Sequence, residues 1–100
     1  MTPFKYAPGV ELELLDVVRY YNRQRLGLGG EFFAEWERFE EVVRANPLRF
    51  AADDRGRRRA LLKRFPYKLV YRVRERDILI LAAAHNKRAT DYWEPRDRTA

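Results

Sequence analysis

The sequence predicts an α+β fold, in which an N-terminal helical hairpin packs on a small antiparallel β-sheet with the element order β-α-α-β-β-β. Two segments of the first half repeat apolar residues at helical spacing, and two segments of the second half have the length and pattern of strands. The chain has 100 residues and is 46% hydrophobic, which suits one domain with its own core. We therefore expect a single domain over residues 1–100.

The first half begins with a short strand and continues as two helices. Phe4-Lys5-Tyr6 alternates apolar and basic residues before a turn at Pro8-Gly9. Over residues 10–21 apolar residues recur at helical spacing, and the glycine-rich segment 26–30 is expected to end this helix. A second helix ends at Asn46-Pro47, because the residue before proline avoids helical geometry. Its apolar face consists of Phe32, Trp36, Phe39 and Val43.

The second half contains three predicted strands. Residues 57–64 follow a turn at 53–56 and form a weak candidate. Residues 67–73 carry an apolar or aromatic side chain at every second position, as expected of a half-buried strand. Residues 78–84 are continuously apolar, which is typical of a central strand covered on both faces.

The composition excludes several classes of function. The chain has no cysteine and one histidine, so we expect no disulfide, no thiol nucleophile and no metal site. The glycines at 27–30 have no preceding strand, which argues against a nucleotide-binding loop, and we expect no cofactor. No apolar run approaches the roughly 20 residues that span a bilayer, and the N-terminus has no signal-peptide pattern. A cytoplasmic protein without a membrane partner is expected.

The net charge of +6 lies entirely in the second half of the chain. Residues 1–50 contain seven Lys/Arg and eight Asp/Glu, whereas residues 51–100 contain fourteen and seven. Such an asymmetry favours a nucleic acid or an acidic protein as the partner. A solvated arginine-rich surface without a binding role is the alternative.

His85 is the candidate for proton transfer, because it is the only side chain here with an ordinary pKa near neutrality. If Val73 pairs with Ile78 across the turn, Lys68 pairs with Ala83, and His85 shares a face with Lys68 and Arg72. A cationic face with one histidine can bind phosphate and move a proton. Alternatively, His85 is a structural residue at the end of a strand.

The residues around this face carry further cations and aromatic rings. Tyr92 and Trp93 follow Arg88, and such a set can hold phosphates and stack bases, or the two rings can form a hydrophobic lid over the sheet. Arg57 and Arg59 would share one face of a strand, where they could bind phosphates or the acidic groups of a protein. The expected open face also carries apolar residues, which indicate a surface for a partner. These residues are Val70, Leu79 and Leu81.

Several segments, taken in order, resemble the RelE/ParE toxins of bacterial type II toxin–antitoxin systems. Residues 59–73 (RALLKRFPYKLVYRV) are similar to the central strand pair of this family, and residues 85–96 (HNKRATDYWEPR) to its closing stretch. Tyr20-Tyr21, the GLGGEF segment at 27–32 and Asn46-Pro47 match the helical hairpin. The likeness extends over residues 10–96.

The resemblance implies a toxin that a cognate antitoxin holds inactive, with one of two targets. ParE-like members bind DNA gyrase without known catalysis, whereas RelE-like members cleave mRNA on the ribosome without a metal. For the second activity, Lys68, His85, Arg88 and Tyr92 would be the catalytic set. The paired lysines of RelE-like members are absent, and Lys68 stands where those members have an arginine, whose bidentate fork lysine lacks. The ParE-like function is therefore the preferred expectation. The residues expected to contact the antitoxin or the target are Arg57, Arg59, Val70, Arg72, Leu79, Leu81 and Trp93.

Overall fold

A computed structural model describes residues 2–89 and 92–99 of the chain. It confirms the α+β class and the helical hairpin. A short C-terminal helix, α3, follows the predicted elements. In chain order the elements are β1 (Phe4–Tyr6), α1 (Val10–Gln24), α2 (Leu28–Ala45), β2 (Arg57–Leu61), β3 (Tyr67–Val73), β4 (Ile78–His85) and α3 (Glu94–Thr99).

The four strands form one sheet in the order β1-β4-β3-β2. The β2–β3 and β3–β4 pairs are antiparallel, as predicted, but β1 lies parallel to β4, with Phe4 opposite Ile78. The sheet is therefore mixed rather than wholly antiparallel. The reason is that the helical hairpin acts as a crossover, which returns the chain to the sheet in the direction in which it left.

The β3–β4 pair contains an irregularity that changes the expected register. Val73 pairs with Ile78 as predicted, but Val70 pairs with Ala82 and Tyr71 with Ile80, so Leu81 is an extra residue in β4. This β-bulge shifts every later pair by one residue. His85 therefore lies opposite Tyr67, and the expectation that it shares a face with Lys68 is wrong.

The second helix begins earlier than predicted because two of the glycines taken as helix breakers lie inside it. Gly27 has a φ of 91° and precedes the helix, whereas Gly29 and Gly30 belong to its first turn. A Cβ atom on Gly29 would lie 2.3 Å from the carbonyl oxygen of Val18. Gly29 is therefore required for the close contact between α1 and α2, and not for a break in the chain.

The core lies between the hairpin and one face of the sheet. Trp36 and Phe32 of α2 and Tyr71 of β3 are fully buried there. The Tyr71 hydroxyl donates a hydrogen bond to the carbonyl oxygen of Pro47, at 2.7 Å, which connects the sheet to the end of α2. Four rings pack edge to face at one end of this core: Tyr21, Phe32, Phe65 and Tyr67.

The opposite face of the sheet is covered by the chain's own C-terminal segment. Val70, Leu79 and Leu81 are at most 1% exposed, and Trp93 is fully buried with them. The expected open apolar face is therefore closed. No helix in the described part of the chain is long and apolar enough to cross a membrane.

Candidate functional site

Strands β2 and β3 place a row of cations on the sheet face that points away from the hairpin, which we call the arginine face. Arg57 pairs with Arg72, Arg59 with Val70, and Leu61 with Lys68, so these side chains alternate on one side of the two strands. Sequence analysis predicted Arg57, Arg59 and Arg72 as binding residues, and the structure places them together.

Trp93 covers the arginine face. Its ring lies 4.9 Å from the guanidinium carbon of Arg57 and 5.5 Å from that of Arg59, measured to the ring centre. Both distances fit a cation–π interaction, which is stronger where the cation is desolvated. Arg57 is only 6% exposed. Trp93 therefore acts as the lid that was one of the two expectations for it.

Helix α3 supplies two of the counter-charges for the arginine face. Asp97 accepts hydrogen bonds from Nε of Arg72 at 2.8 Å and from its terminal nitrogen at 2.7 Å, which is the bidentate geometry of a strong ion pair. Glu94 forms a longer ion pair with Arg57, at 3.4 Å. A cavity of about 270 Å³ remains between α3 and the sheet, with Arg55, Arg74 and Arg98 also in its lining.

His85 lies in a separate pocket of about 190 Å³ between the end of β4 and helix α1. Its Nδ1 accepts a hydrogen bond from the backbone N–H of Lys87 at 3.1 Å, and its ring packs edge to face on Tyr67. Arg88 and Tyr92 line the same pocket, but so do the carboxylates of Glu13 and Asp16. Cations and anions are therefore mixed here.

Tyr92 is held between cations and is protonated at neutral pH. The guanidinium carbon of Arg88 lies 3.9 Å from the centre of the Tyr92 ring, and that of Arg96 lies 5.4 Å from it. Burial raises the pKa of Tyr92 far above its ordinary value, and the nearby charge of Glu13 raises it further. Tyr92 therefore cannot serve as a base near neutrality.

Lys68 is not part of this pocket. It lies on the arginine face, opposite Ala84 in the β3–β4 pair, whereas His85 is on the hairpin side opposite Tyr67. Burial lowers the pKa of Lys68, and the charge of Arg59 lowers it further. The structure thus brings together three members of the predicted catalytic set, His85, Arg88 and Tyr92, and separates the fourth.

Glu13 and Arg96 are site residues that sequence analysis missed. Arg96 donates to both carboxylate oxygens of Glu13, at 2.9 and 3.2 Å, and to the carbonyl oxygen of Leu81 at 3.1 Å. The carboxylate also accepts a bond from the backbone N–H of Ala83. This ion pair fastens the C-terminal segment to α1 and to the bulge. The only sequence signal was an acid in the first turns of α1, which helix-dipole effects explain equally well.

Among residues 2–89 and 92–99, no group of three or more His, Asp or Glu side chains is arranged to hold a metal ion.

The comparisons with known proteins concern the fold. No family model matches this sequence, and no curated protein matches it. A chain of the solved structure described as "Chromosomal ParDE TA system from P. aeruginosa" superposes on it with a TM-score of 0.74. The likeness covers 85% of this chain and 96% of that chain, at 17% sequence identity.

This chain shares the fold of that chain. At 17% identity the likeness establishes architecture, and the fold that the sequence resemblance implied is confirmed.

Proposed function

We propose that the chain is the toxin of a type II toxin–antitoxin pair and that it acts by binding a protein target, DNA gyrase, rather than by cutting RNA. The sequence resemblance to RelE/ParE toxins and the fold shared with a ParDE system support the first part. Both candidate targets are cytoplasmic, which agrees with the expected location.

The proposal that the chain binds a protein target rather than cutting RNA rests on the separation of Lys68 from His85. Metal-independent RNA cleavage needs a base, an acid and cations around one phosphate. Lys68 lies on one face of the sheet and His85 on the other. Cleavage at the His85 pocket would therefore rely on Arg88 alone among the predicted cations. Asp16 also lines that pocket and repels a phosphate, whereas the carboxylate of Glu13 there is already paired with Arg96.

One observation favours the alternative, a ribosome-dependent mRNA endoribonuclease. His85, Arg88 and Tyr92 line the same pocket, so a proton-transfer group and a cation are adjacent. The role of the base belongs to His85 in that case, because the raised pKa of Tyr92 keeps its hydroxyl protonated.

The deciding experiment pairs two assays on the purified chain: supercoiling by DNA gyrase, and mRNA cleavage on translating ribosomes. We expect gyrase inhibition that persists in His85→Ala, because binding needs no proton transfer and His85 is not among the residues expected to contact the target, where a few anchor residues carry most of the binding energy. Ribosome-dependent cleavage that falls about 10²–10⁴-fold in His85→Ala, with gyrase unaffected, would contradict the proposal. Lys87→Ala is the control, since this exposed cation lies two residues from His85.

We further propose that an acidic segment of the cognate antitoxin contacts the edge of the arginine face. The apolar members of the predicted binding set, Val70, Leu79 and Leu81, are buried by the chain itself. Arg59 and Arg72, however, keep 27% and 30% of their side-chain surface exposed.

Expression of the chain alone should inhibit growth, and co-expression of the neighbouring small gene should restore it. Harmless expression without a co-purifying partner would contradict the toxin assignment.

A further inference from the structure

Helix α1 presents an apolar surface that the fold leaves uncovered. Leu12 is 67% exposed and Leu15 is 42% exposed, and Phe33 of the neighbouring helix is 38% exposed. Leu15, Val18, Gly30 and Phe33 line a groove of about 440 Å³ between α1 and α2, which we call the α1 groove. Adjacent exposed apolar side chains of this size are typical of a protein–protein contact.

Gly30 contributes to the α1 groove because it has no side chain to fill it. Nothing lies within 4 Å of the position that a Cβ atom on Gly30 would occupy. A glycine inside a helix costs roughly 1 kcal/mol relative to alanine. Gly29 has a packing reason within the chain, but Gly30 has none among the described residues, and its effect is to deepen the groove.

The charges beside this apolar surface are self-complementary. Glu11, Leu15 and Arg19 are spaced four residues apart on α1 and therefore form one row along its surface. Glu11 and Arg19 are both exposed, and neither forms an ion pair within residues 2–89 and 92–99. The row thus has an acid at one end, a leucine at its centre and a base at the other end.

We propose that the occupant of this surface is a second copy of the chain, in a two-fold dimer in which α1 packs on its counterpart near Leu15. In the commonest class of helix packing, the rows of residues four apart lie alongside each other. A two-fold axis near Leu15 then places Glu11 beside Arg19 of the second copy. Two-fold symmetry repeats the contact, so one row supplies two ion pairs.

The distribution of charge over the whole chain agrees with this orientation. The dimer contact uses the first half of the sequence, where acids and bases nearly balance, and keeps the strongly basic second halves of the two copies apart. An interface through the basic half would instead bring like charges together. The proposed dimer leaves the arginine face and the His85 pocket free, so it does not depend on the function proposed above.

The test is the mass of the full-length chain in solution, measured by sedimentation equilibrium at low ionic strength. We expect a dimer. Glu11→Arg or Arg19→Glu should each weaken the dimerisation constant about tenfold or more, because each reversal turns two attractive contacts into repulsive ones. The double variant Glu11→Arg/Arg19→Glu restores complementary pairs and should restore the dimer. Both side chains are exposed, so circular dichroism should show an unchanged fold.

Glu75→Arg and Arg76→Glu are the matched controls. They make the same changes of charge at exposed positions in the β3–β4 turn and should leave the dimer intact. A chain that is monomeric at every soluble concentration would overturn the proposal, as would a dimer that neither α1 reversal weakens. A monomeric chain that loses its antitoxin when Leu15 is changed to Ser would assign the surface to the antitoxin, which equally overturns the proposal.

Discussion

Asp53 connects the start of β2 to two of the arginines of the sheet. It accepts hydrogen bonds from the backbone N–H groups of Arg55 and Arg57, each at 2.9 Å. It also accepts side-chain bonds from Arg57 at 3.2 Å and Arg59 at 3.1 Å. Burial opposes ionisation of the carboxyl, but the hydrogen bonds and the arginine charges outweigh it and hold the pKa of Asp53 well below its ordinary value. Folding therefore favours the ionised form.

This carboxylate should make the stability of the chain pH-dependent. Because the folded-state pKa of Asp53 is depressed, its contribution is complete above the unfolded pKa of about 4 and is lost progressively as the pH falls from there through the lower folded-state pKa. Asp53→Asn should cost about 1–3 kcal/mol at pH 7, and the difference from wild type should shrink in acid. Denaturant titrations from neutral pH to about pH 3 measure this. Asp54→Asn, at an exposed neighbour, is the control. A difference that is constant with pH would contradict the interpretation.

The pair of helices depends on how closely α1 and α2 approach each other, and Gly29 sets this distance. Its amide donates a hydrogen bond to the Asn22 side chain at 2.8 Å, and a Cβ atom there would meet the backbone of α1. The backbone cannot move aside without separating the helices, so the contact has no inexpensive relaxation.

Two alanine substitutions in adjacent positions should therefore have opposite effects on stability. Gly29→Ala should destabilise the chain by about 1–3 kcal/mol because it overpacks the helix contact. Gly30→Ala, which meets nothing, should stabilise it by up to about 1 kcal/mol through helix propensity. Thermal or denaturant unfolding of the two variants measures both. Equal effects of the two substitutions would mean that the helices are not in the contact described.

At the level of elements, the success of sequence-based prediction follows the strength of the local pattern. The alternation in β3 and the apolar periodicity of both helices are local, and these elements were predicted correctly apart from the start of α2. Strand β1 has only three residues, so its parallel partner depends on the path of the chain and not on its composition. Helix α3 has six residues and is held by ion pairs to distant strands, such as Asp97 to Arg72, which no local pattern reveals.

The candidate site was predicted less completely than the fold. We identified Arg57, Arg59 and Arg72 from their charge and their alternation along the predicted strands. The alternation holds in the structure because the pairing of β2 with β3 is regular. Glu13 and Arg96 are separated by 83 residues and meet only through the tertiary fold. The C-terminal segment covers Val70, Leu79 and Leu81, and this too depends on the tertiary fold. The sequence shows that such a segment exists but not which face of the sheet it covers.

The whole molecule is strongly polarised in charge, and this should govern how it meets an acidic antitoxin. The basic surplus lies entirely in the second half of the chain, although two acids of the first half, Glu13 and Glu31, neutralise part of it through ion pairs with Arg96 and Arg64. Charge of this kind accelerates encounter more than it strengthens the final complex.

The rate of antitoxin association should therefore fall with ionic strength. Between low and high salt we expect roughly a tenfold decrease in the association rate constant, with a much smaller change in the dissociation rate constant. Stopped-flow or surface-based kinetics over a salt series measures both constants. An association rate that does not respond to salt would mean that the cations of the second half do not face the antitoxin.

The bulge at Leu81 decides which face of the sheet the later side chains of β4 occupy. Every residue from Ile78 to Ala84 is apolar, so the apolar pattern alone does not choose between the bulged register and a regular one. His85 is the one polar residue in the strand, and its environment differs between the two registers. In the observed register His85 packs on Tyr67 and lies in a pocket with carboxylates of α1. In a regular register it would share a face with Lys68 on a cationic surface. A difference of one residue in register thus separates a histidine that packs on Tyr67 from one that would face cations.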